Sequence, residues 1–233
     1  MNVVITGASR GIGKAIALEF ASLGYNLFLS ATNESKLQRV NAEISKSFPK
    51  VKVSYAAADL SKKEEAIDLG KKILQAFDKI DVLVNNAGSF EPGNVHDEAD
   101  GVLENQIATN LYSAYHLTRT LLPNMIKQKS GHIFNMCSIA SLQAYEGGGA
   151  YSISKSALLS FSKNLREEMK PHHIKVTAVI AGAVKTDSWG NFDNSSNRIM
   201  VAEDIAKMIA VSSQLSPAAC VEEILMRPLL GDL

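Results

Sequence analysis

A tyrosine and a lysine stand four residues apart in the stretch GGGAYSISKSALLSF (147–161), directly after three consecutive glycines. From residue 150 onward the side chains are mostly small or apolar and proline is absent, which predicts a packed helix. Residues i and i+4 lie one turn apart on one helix face, so we expect the Lys155 ammonium close to the Tyr151 phenol. Such a pair suits acid–base chemistry at the phenol. The alternative is a structural tyrosine whose hydroxyl bonds to any convenient polar group.

A second candidate site is the glycine-rich stretch TGASRGIG (6–13), which follows the strand-like run VVIT and precedes a helical pattern. This is the context that a phosphate-binding turn requires. Gly7 permits a tight turn, Gly11 lets the backbone approach a diphosphate, and Gly13 allows the helix to pack closely on the strand. The helix N-terminus adds free N–H groups and a partial positive charge. Sterics alone also favour glycines at strand-to-helix turns, which is the alternative explanation.

Strand-like and helical patterns alternate along the rest of the chain. Continuous apolar runs predict strands buried on both faces, and the alternation predicts parallel strands joined by right-handed crossovers. We therefore predict an α/β fold: a single-domain, Rossmann-type, doubly wound parallel sheet of about seven strands with helices on both faces. The predicted strands are 3–6, 26–30, 51–58, 81–87, 131–138, 174–181 and 222–226. The predicted helices are 12–23, 34–47, 62–77, 98–128 with a kink at Pro123, 150–170 and 202–211.

The composition limits the classes of partner. Of 233 residues, 46% are hydrophobic and 21% charged, and Lys+Arg and Asp+Glu both number 24, so no charge bias favours nucleic acid or an anionic membrane. No run approaches the roughly 18 apolar residues of a membrane span, and the first strand starts at Val3, so we expect a cytoplasmic protein. Cys137 and Cys220 form no CxxC motif, so no metal site is expected. We predict one domain over 1–233 and a small diffusible substrate.

Three motifs and their order resemble the short-chain dehydrogenase/reductase family. The spacing G-x-x-x-G-x-G at 7–13 is the variant found at the start of that family, and NNAG at 85–88 and Y-x-x-x-K at 151–155 match its later motifs. The resemblance extends over nearly the whole chain. It implies an oxidoreductase that transfers hydride between a nicotinamide cofactor and a carbonyl or alcohol substrate.

The resemblance also implies a catalytic group of Asn110, Ser138, Tyr151 and Lys155. Ser138 would orient the carbonyl oxygen, Lys155 would hold the nicotinamide ribose, and Asn110 would support a water-mediated proton relay to that lysine. A tyrosine has a pKa of about 10, so acid catalysis near neutral pH requires a shift of about three units, or about 4 kcal/mol. The Lys155 ammonium and the oxidised nicotinamide together could supply it. Cys137 is expected to pack as a small apolar residue.

The nucleotide site implied by the resemblance uses the glycine turn and the ends of four further strands. Asp59 would contact the adenine ring, although its carboxylate could instead cap the next helix. The residues assigned to the cofactor are Gly7, Ser9, Arg10, Gly11, Ile12, Gly13, Thr32, Asp59, Leu60, Asn86, Ala87, Gly88, Tyr151, Lys155, Gly182, Val184 and Thr186.

Charge favours NADP(H) over NAD(H). The second strand ends in Ala31 and Thr32, where an NAD-dependent member usually has a carboxylate that repels a 2′-phosphate. Arg10 resembles the basic residue that selects NADP, and an Arg–phosphate bond contributes about 1.5–3 kcal/mol. A solvent-exposed turn residue is the alternative role for Arg10, and NAD(H) remains open.

The substrate is not encoded by a shared motif. Residues 90–96, 140–147 and 185–200 are expected to shape its pocket, and 185–200 is either a substrate lid or a surface loop. An apolar or aromatic substrate is suggested by Phe90, Tyr145, Trp189 and Phe192. The family usually has proline where this chain has Ala181, so the following turn is expected to be less rigid.

Two other functions remain open at this point. One is a 3-oxoacyl-[acyl-carrier-protein] reductase, which requires a basic patch near the cleft; Lys127 and Lys129 are its candidates. The other is a dinucleotide-binding sensor without catalysis. The resemblance also implies a homodimer or homotetramer built on the helices at 98–128 and 150–170.

Overall fold

The structure, a computed structural model, describes residues 1–232 apart from the side chain of residue 188. Its strands are β1 (Asn2–Thr6), β2 (Asn26–Ala31), β3 (Val53–Ala57), β4 (Val82–Asn85), β5 (Gly131–Ser138), β6 (Ile174–Ala181), β7 (Val184–Lys185), β8 (Met200–Val201) and β9 (Glu223–Met226). Seven of them form one parallel sheet in the order β3-β2-β1-β4-β5-β6-β9. The predicted sheet is confirmed.

The helices are α1 (Gly11–Ser22), α2 (Glu34–Ser47), α3 (Lys63–Ala76), α4 (Val102–Ile107), α5 (Ser113–Gln128), α6 (Gly149–Met169) and α7 (Ala202–Ser213). They cover both faces of the sheet. Helices α1, α2 and α7 contribute to one core, for example with Ile16 and Ile205, and α3, α5 and α6 contribute to the other with Leu69 and Leu117. Because helices cover both faces of the sheet, the strands do not alternate between apolar and polar residues.

The first strand shows how the sequence pattern produces this layering. Val3, Val4 and Ile5 are fully buried, but Val3 and Ile5 belong to one core and Val4 to the other. Side chains alternate across a strand, so a continuous apolar run fills both cores at once. The chain order reverses between β1 and β4, and the crevice at the carboxyl ends of these strands is where open α/β sheets bind ligands.

The structure differs from the predicted elements in two places. The long helix predicted at 98–128 begins at Val102 and contains a π-helical turn at Ala108–Tyr112 between α4 and α5. The segment predicted at 185–200 as lid or loop is bounded by β7 and β8, which pair in parallel as a separate two-stranded sheet. Strands of two residues are too short to show a periodic pattern. Pro123 lies inside α5, which continues to Gln128, and the kink there stays a prediction.

Candidate active site

The glycine turn lies between β1 and α1 and packs closely against the residues after β4 and β7. Gly7 and Gly11 have φ of 63° and 52°, in the region that favours glycine. A Cβ on Gly13 would collide with the Gly7 carbonyl oxygen and lie 2.5 Å from Asn86 Nδ2. Helix α1 begins here without a side-chain cap or an acidic residue in its first turn. Backbone N–H groups and a side-chain-free cradle fit the diphosphate of a dinucleotide.

The NNAG motif joins the end of β4 to this turn. Asn86 Nδ2 donates to the carbonyl oxygens of Thr6 and Gly7 at 3.0 and 3.2 Å. The Thr6 hydroxyl accepts from the backbone N–H groups of Asn86 and Ala87, both at 2.9 Å. Asn85 is buried and donates to Thr118 Oγ1 and Asn135 Oδ1, which fixes β4 to α5 and β5. Both asparagines therefore hold strand ends together and do not form a loose turn.

The four predicted catalytic residues come together next to this turn. Ser138 is the last residue of β5, Tyr151 is the third residue of α6, and Lys155 follows one turn later. Asn110 lies in the π turn, and a Cβ on Gly88 would be 2.8 Å from Asn110 Oδ1 and 3.3 Å from Lys155 Nζ. Asn110, Gly88 and Lys155 thus meet at the carboxyl end of β4.

Asn110 is held by hydrogen bonds from several elements. Its Oδ1 accepts from the Ser89 backbone N–H at 2.9 Å, and its Nδ2 donates to Ser154 Oγ at 2.9 Å. The Ser154 hydroxyl in turn donates to the Tyr151 carbonyl oxygen at 2.7 Å. The π turn and the helix that carries the tyrosine are therefore linked through buried polar groups.

The ammonium of Lys155 lies near the Tyr151 ring, 5.9 Å from its centroid, but donates to the Met136 carbonyl oxygen at 2.8 Å. Burial lowers the pKa of Lys155 to about 8. Burial also raises the pKa of Tyr151, and a hydrogen bond with Ser138 acts in the opposite direction. Lys155 alone therefore does not make the phenol more acidic. The predicted acidity depends on the second positive charge, that of the oxidised nicotinamide.

At the adenine side, Asp59 has local partners. Its Oδ1 accepts from the Ser61 N–H at 3.2 Å and the Ser61 hydroxyl at 2.6 Å, and Lys62 Nζ lies 3.4 Å from Oδ2. The hydrogen bond from Ser61 is the main reason that the pKa of Asp59 is lowered. The Leu60 side chain is buried in the core, and Thr32 is exposed beyond β2. Asp59 thus closes a local turn with Ser61 and does not cap α3, whose N-cap Lys62 makes no side-chain capping hydrogen bond; the Asp59 carboxylate stays partly exposed.

The segment after β6 returns to the glycine turn. Gly182 N–H donates to the Met226 carbonyl oxygen at 2.8 Å, and Val184 is buried in β7. A Cβ on Gly11 would lie 3.2 Å from Thr186 Cγ2, so Thr186 lies against the turn. Arg10 Nη1 lies 3.8 Å from Asp187 Oδ2, with both side chains mostly exposed. Thr186 and Asp187, which follow the sixth strand, therefore lie against the glycine turn, whereas Gly182 packs on the C-terminal residues.

Aromatic side chains lie beside Tyr151 and in the segment between β7 and β8. The ring of Phe90 contacts the ring of Tyr151 edge-on, with centroids 4.9 Å apart, and Trp189 lies 5.2 Å from Phe192. Phe90 and Tyr145 are both exposed. Cys137 is buried beside Ser138, and burial raises its pKa to about 11, so it packs as an inert thiol.

The structure corrects the basic patch suggested by Lys127 and Lys129. Lys127 is in the last turn of α5 and Lys129 follows its end, directly before β5 begins at Gly131. They lie at the edge of the sheet where strands start, whereas the cleft is at the edge where strands end. The position of a residue along the chain does not show at which edge of the sheet it lies, so the prediction that places these two lysines near the cleft is wrong.

The sequence patterns missed the contacts of the loop after β4. Glu98 Oε1 accepts from the Ala150 N–H at 2.8 Å, and Gly93 N–H donates to the Gly147 carbonyl oxygen at 3.0 Å. These partners are about fifty residues apart in the chain, and no local motif signals such pairs. Among the described residues, no three His, Cys, Asp or Glu side chains are grouped as metal ligands would be. None of the helices described is both long and apolar enough to cross a bilayer.

Residues 1–197 match the family described as short chain dehydrogenase. A sepiapterin reductase from Chlorobaculum tepidum is 33% identical over 99% of this chain and 97% of its own length. A metagenomic short-chain oxidoreductase, solved with NADP, is 33% identical over 98% of this chain and 96% of its own, with a TM-score of 0.86. An alcohol dehydrogenase from Thermococcus sibiricus, solved with 5-hydroxy-NADP, has a TM-score of 0.91 at 27% identity over 98% and 96% of the chains. The chain belongs to the short-chain dehydrogenase family and is an oxidoreductase.

Proposed function

We propose that the protein is an NADP(H)-dependent reductase of ketones or aldehydes that uses Asn110, Ser138, Tyr151 and Lys155. One observation carries the proposal: these four side chains lie at the carboxyl edge of the sheet, directly beside a glycine turn fit for a diphosphate. A dinucleotide-binding sensor has no need for this catalytic group. The acyl-carrier-protein reductase loses its support because Lys127 and Lys129 lie at the other edge.

The cofactor follows from the glycine turn and from charge. Gly7, Gly11 and Gly13 keep side chains out of the turn at the uncapped start of α1, and Arg10 offers an exposed guanidinium at the same turn. Ala31 and Thr32 place no carboxylate where it would repel a 2′-phosphate. Two solved relatives contain NADP or a derivative of it. NADP(H) is the proposed cofactor, and the remaining residues assigned to it above complete the site.

NADPH, when bound, supplies the hydride that reduces the carbonyl carbon. The Ser138 hydroxyl donates a hydrogen bond to the carbonyl oxygen and so orients it. The Tyr151 phenol donates its proton to the same oxygen as negative charge develops there. Lys155 would hold the ribose of the cofactor, and Asn110 would support the return of a proton towards Lys155 through water.

The substrate side is proposed to accept apolar or aromatic ligands. The exposed rings of Phe90 and Tyr145 and the contact between Trp189 and Phe192 support this class. Residues 185–200 act as the substrate lid in this proposal. A cytoplasmic homodimer or homotetramer, built on the helices at 98–128 and 150–170, completes it.

The test is NADPH oxidation measured at 340 nm with a panel of ketones, diketones and quinones. Wild type is expected to turn over at least one class, and Tyr151→Phe to lose about a thousandfold or more in kcat with little change in NADPH binding. Full activity of Tyr151→Phe would refute the catalytic assignment.

A cofactor titration tests the choice of dinucleotide separately. Wild type is expected to bind NADPH more tightly than NADH, and Arg10→Ala to lose about tenfold or more for NADPH only, since one charge-assisted hydrogen bond is removed. Equal affinity of wild type for the two cofactors would reject the preference for NADP(H).

A further inference from the structure

The N-terminus of α6, which carries Tyr151, has no cap of its own. Gly148 precedes the helix without a side-chain hydrogen bond, and the first turn contains no acidic residue. The first N–H groups of any helix lack partners within the helix, and negative charge near them is favourable. Tyr151 is the third residue of this helix, so the geometry of the uncapped turn sets the position of the phenol.

Glu98 supplies the missing cap from the loop after β4. Its Oε1 accepts from the Ala150 N–H at 2.8 Å. A Cβ on Gly149 would collide with Glu98 Oε1 and lie 2.5 Å from the Gly93 carbonyl oxygen. Glycine at 149 therefore gives the carboxylate its close approach to the start of the helix.

The same loop contacts the neighbouring turn and the phenol ring. Gly93 N–H donates to the Gly147 carbonyl oxygen at 3.0 Å, and Gly147 N–H donates to Asn94 Oδ1 at 3.1 Å. The Phe90 ring packs edge-on against Tyr151. At the start of the loop, the Ser89 N–H donates to Asn110 Oδ1. The segment from Ser89 to Glu98 thus connects two members of the catalytic group.

We propose that Glu98 is a positioning residue: its carboxylate caps α6 and fixes the placement of the Tyr151 phenol. The inference rests on the proposed function, because the expected effect of losing the cap is slower proton transfer from Tyr151. A displacement of about 1 Å at a reacting group lowers rates by as much as about a hundredfold. Loss of the cap is therefore expected to lower kcat while the KM for NADPH changes little.

Three substitutions of Glu98 separate the effect of side-chain length from the effect of negative charge. Glu98→Gln keeps the length and an acceptor oxygen but removes the charge, and Glu98→Asp keeps the charge but is one methylene shorter. Glu98→Ala removes both. Because the hydrogen bond to Ala150 depends on reach, the expected order of kcat is wild type, then Gln, then Asp and Ala together. Asp100→Ala is the matched control, since Asp100 is exposed in the same loop.

The experiment combines steady-state kinetics with amide hydrogen exchange in the cofactor-free protein. Glu98→Ala is expected to lower kcat about tenfold to a hundredfold, to leave the KM for NADPH within about twofold, and to speed exchange at 148–152. Glu98→Gln is expected to recover most of kcat and to retain slow exchange. If Glu98→Ala does not fold, the ratio of kcat between Glu98→Gln and Glu98→Asp is the test. A higher kcat for Glu98→Gln supports the positioning role, and equal values overturn it.

Equal kcat for all Glu98 variants and Asp100→Ala would overturn the positioning role. Faster exchange at 148–152 without a fall in kcat would also overturn it, because the cap would then be structural only. If wild type reduces no carbonyl, the proposed function fails instead. Exchange then still reports whether Glu98 caps α6, and unchanged exchange in Glu98→Ala would reject the cap itself.

Discussion

The nucleotide side of the site, at the glycine turn, and the proposed substrate side, between β7 and β8, are held in different ways. On the nucleotide side, Asn86 and Thr6 bond to each other across 80 residues of chain. On the proposed substrate side, several bonds are local: Lys185 Nζ donates to the Phe192 carbonyl oxygen at 2.6 Å, seven residues away. Asn194 exchanges two hydrogen bonds with Ile199, five residues away. The glycine turn is therefore held by contacts across the sheet, and the segment between β7 and β8 is held mainly by bonds within itself, with Arg198 joining it to the C-terminal residues.

This difference means that the two sides respond differently to substitution. A change in the glycine turn affects β1, α1 and β4 together, because all three pack within hydrogen-bond distance there. A change between β7 and β8 alters that segment and its contacts with Gly11 and the C-terminal residues, whereas the hydrogen bonds of the seven-stranded sheet lie elsewhere.

The largest expected effect is that of Gly13→Ala. The added methyl group would collide with the Gly7 carbonyl oxygen and lie 2.5 Å from Asn86 Nδ2, so the turn must shift. Such overpacking costs about 1–3 kcal/mol, and NADPH affinity measured by titration calorimetry should fall about tenfold to a hundredfold. Gly24→Ala is the control: nothing lies within 4 Å of the added atom, but φ is 78°. Gly24→Ala should lower the free energy of unfolding and leave NADPH affinity unchanged. If Gly13→Ala bound NADPH with wild-type affinity, the inference that the sheet contacts of the glycine turn determine cofactor binding would be wrong.

A smaller effect is expected from the titration of Lys155. Burial lowers its pKa to about 8, so between pH 8 and its ordinary pKa the unfolded chain holds a proton that the folded protein has released. Stability of the cofactor-free protein therefore rises with pH in this range, by about 2 kcal/mol from pH 8 to pH 10. Urea unfolding of wild type against Lys155→Met isolates this contribution. A constant difference between the two proteins would contradict the burial of a charged lysine.

The smallest effect is expected for Trp189→Ala. The ring of Trp189 packs on Phe192, and its loss is expected to remove about 1 kcal/mol of the apolar contact that the proposed lid would make with substrate. The KM for an aromatic ketone should rise about three- to tenfold while NADPH affinity stays within about twofold. Val211→Ala, at an exposed position of α7, is the control. A large change in NADPH affinity would show that the substrate segment is coupled to the sheet.

The sequence was most informative where short-range physics determines the structure. Continuous runs such as Val3 to Ile5 predicted the strands, and the glycine spacing predicted the turn after β1. The π turn around Asn110 escaped prediction because it differs from an α-helix only in hydrogen-bond register. The contact of Glu98 with α6 was also missed, since it joins loops distant in the chain. The error over Lys127 and Lys129 arose because charge was counted without knowing at which edge of the sheet it lies.

The π turn at Ala108–Tyr112 has a consequence for the whole helical stretch around it. It contains one residue more than an α-helical turn, and each residue of a helix advances the side chains by about 100°. The faces of α4 and α5 are therefore out of phase with those of an uninterrupted helix. This offset lets α4 pack on α6 while α5 packs on α3. The inserted residue thus rotates the side chains of α5 relative to those of α4, so one continuous helical stretch packs against two different helices. Asn110 lies in the turn where this rotation occurs.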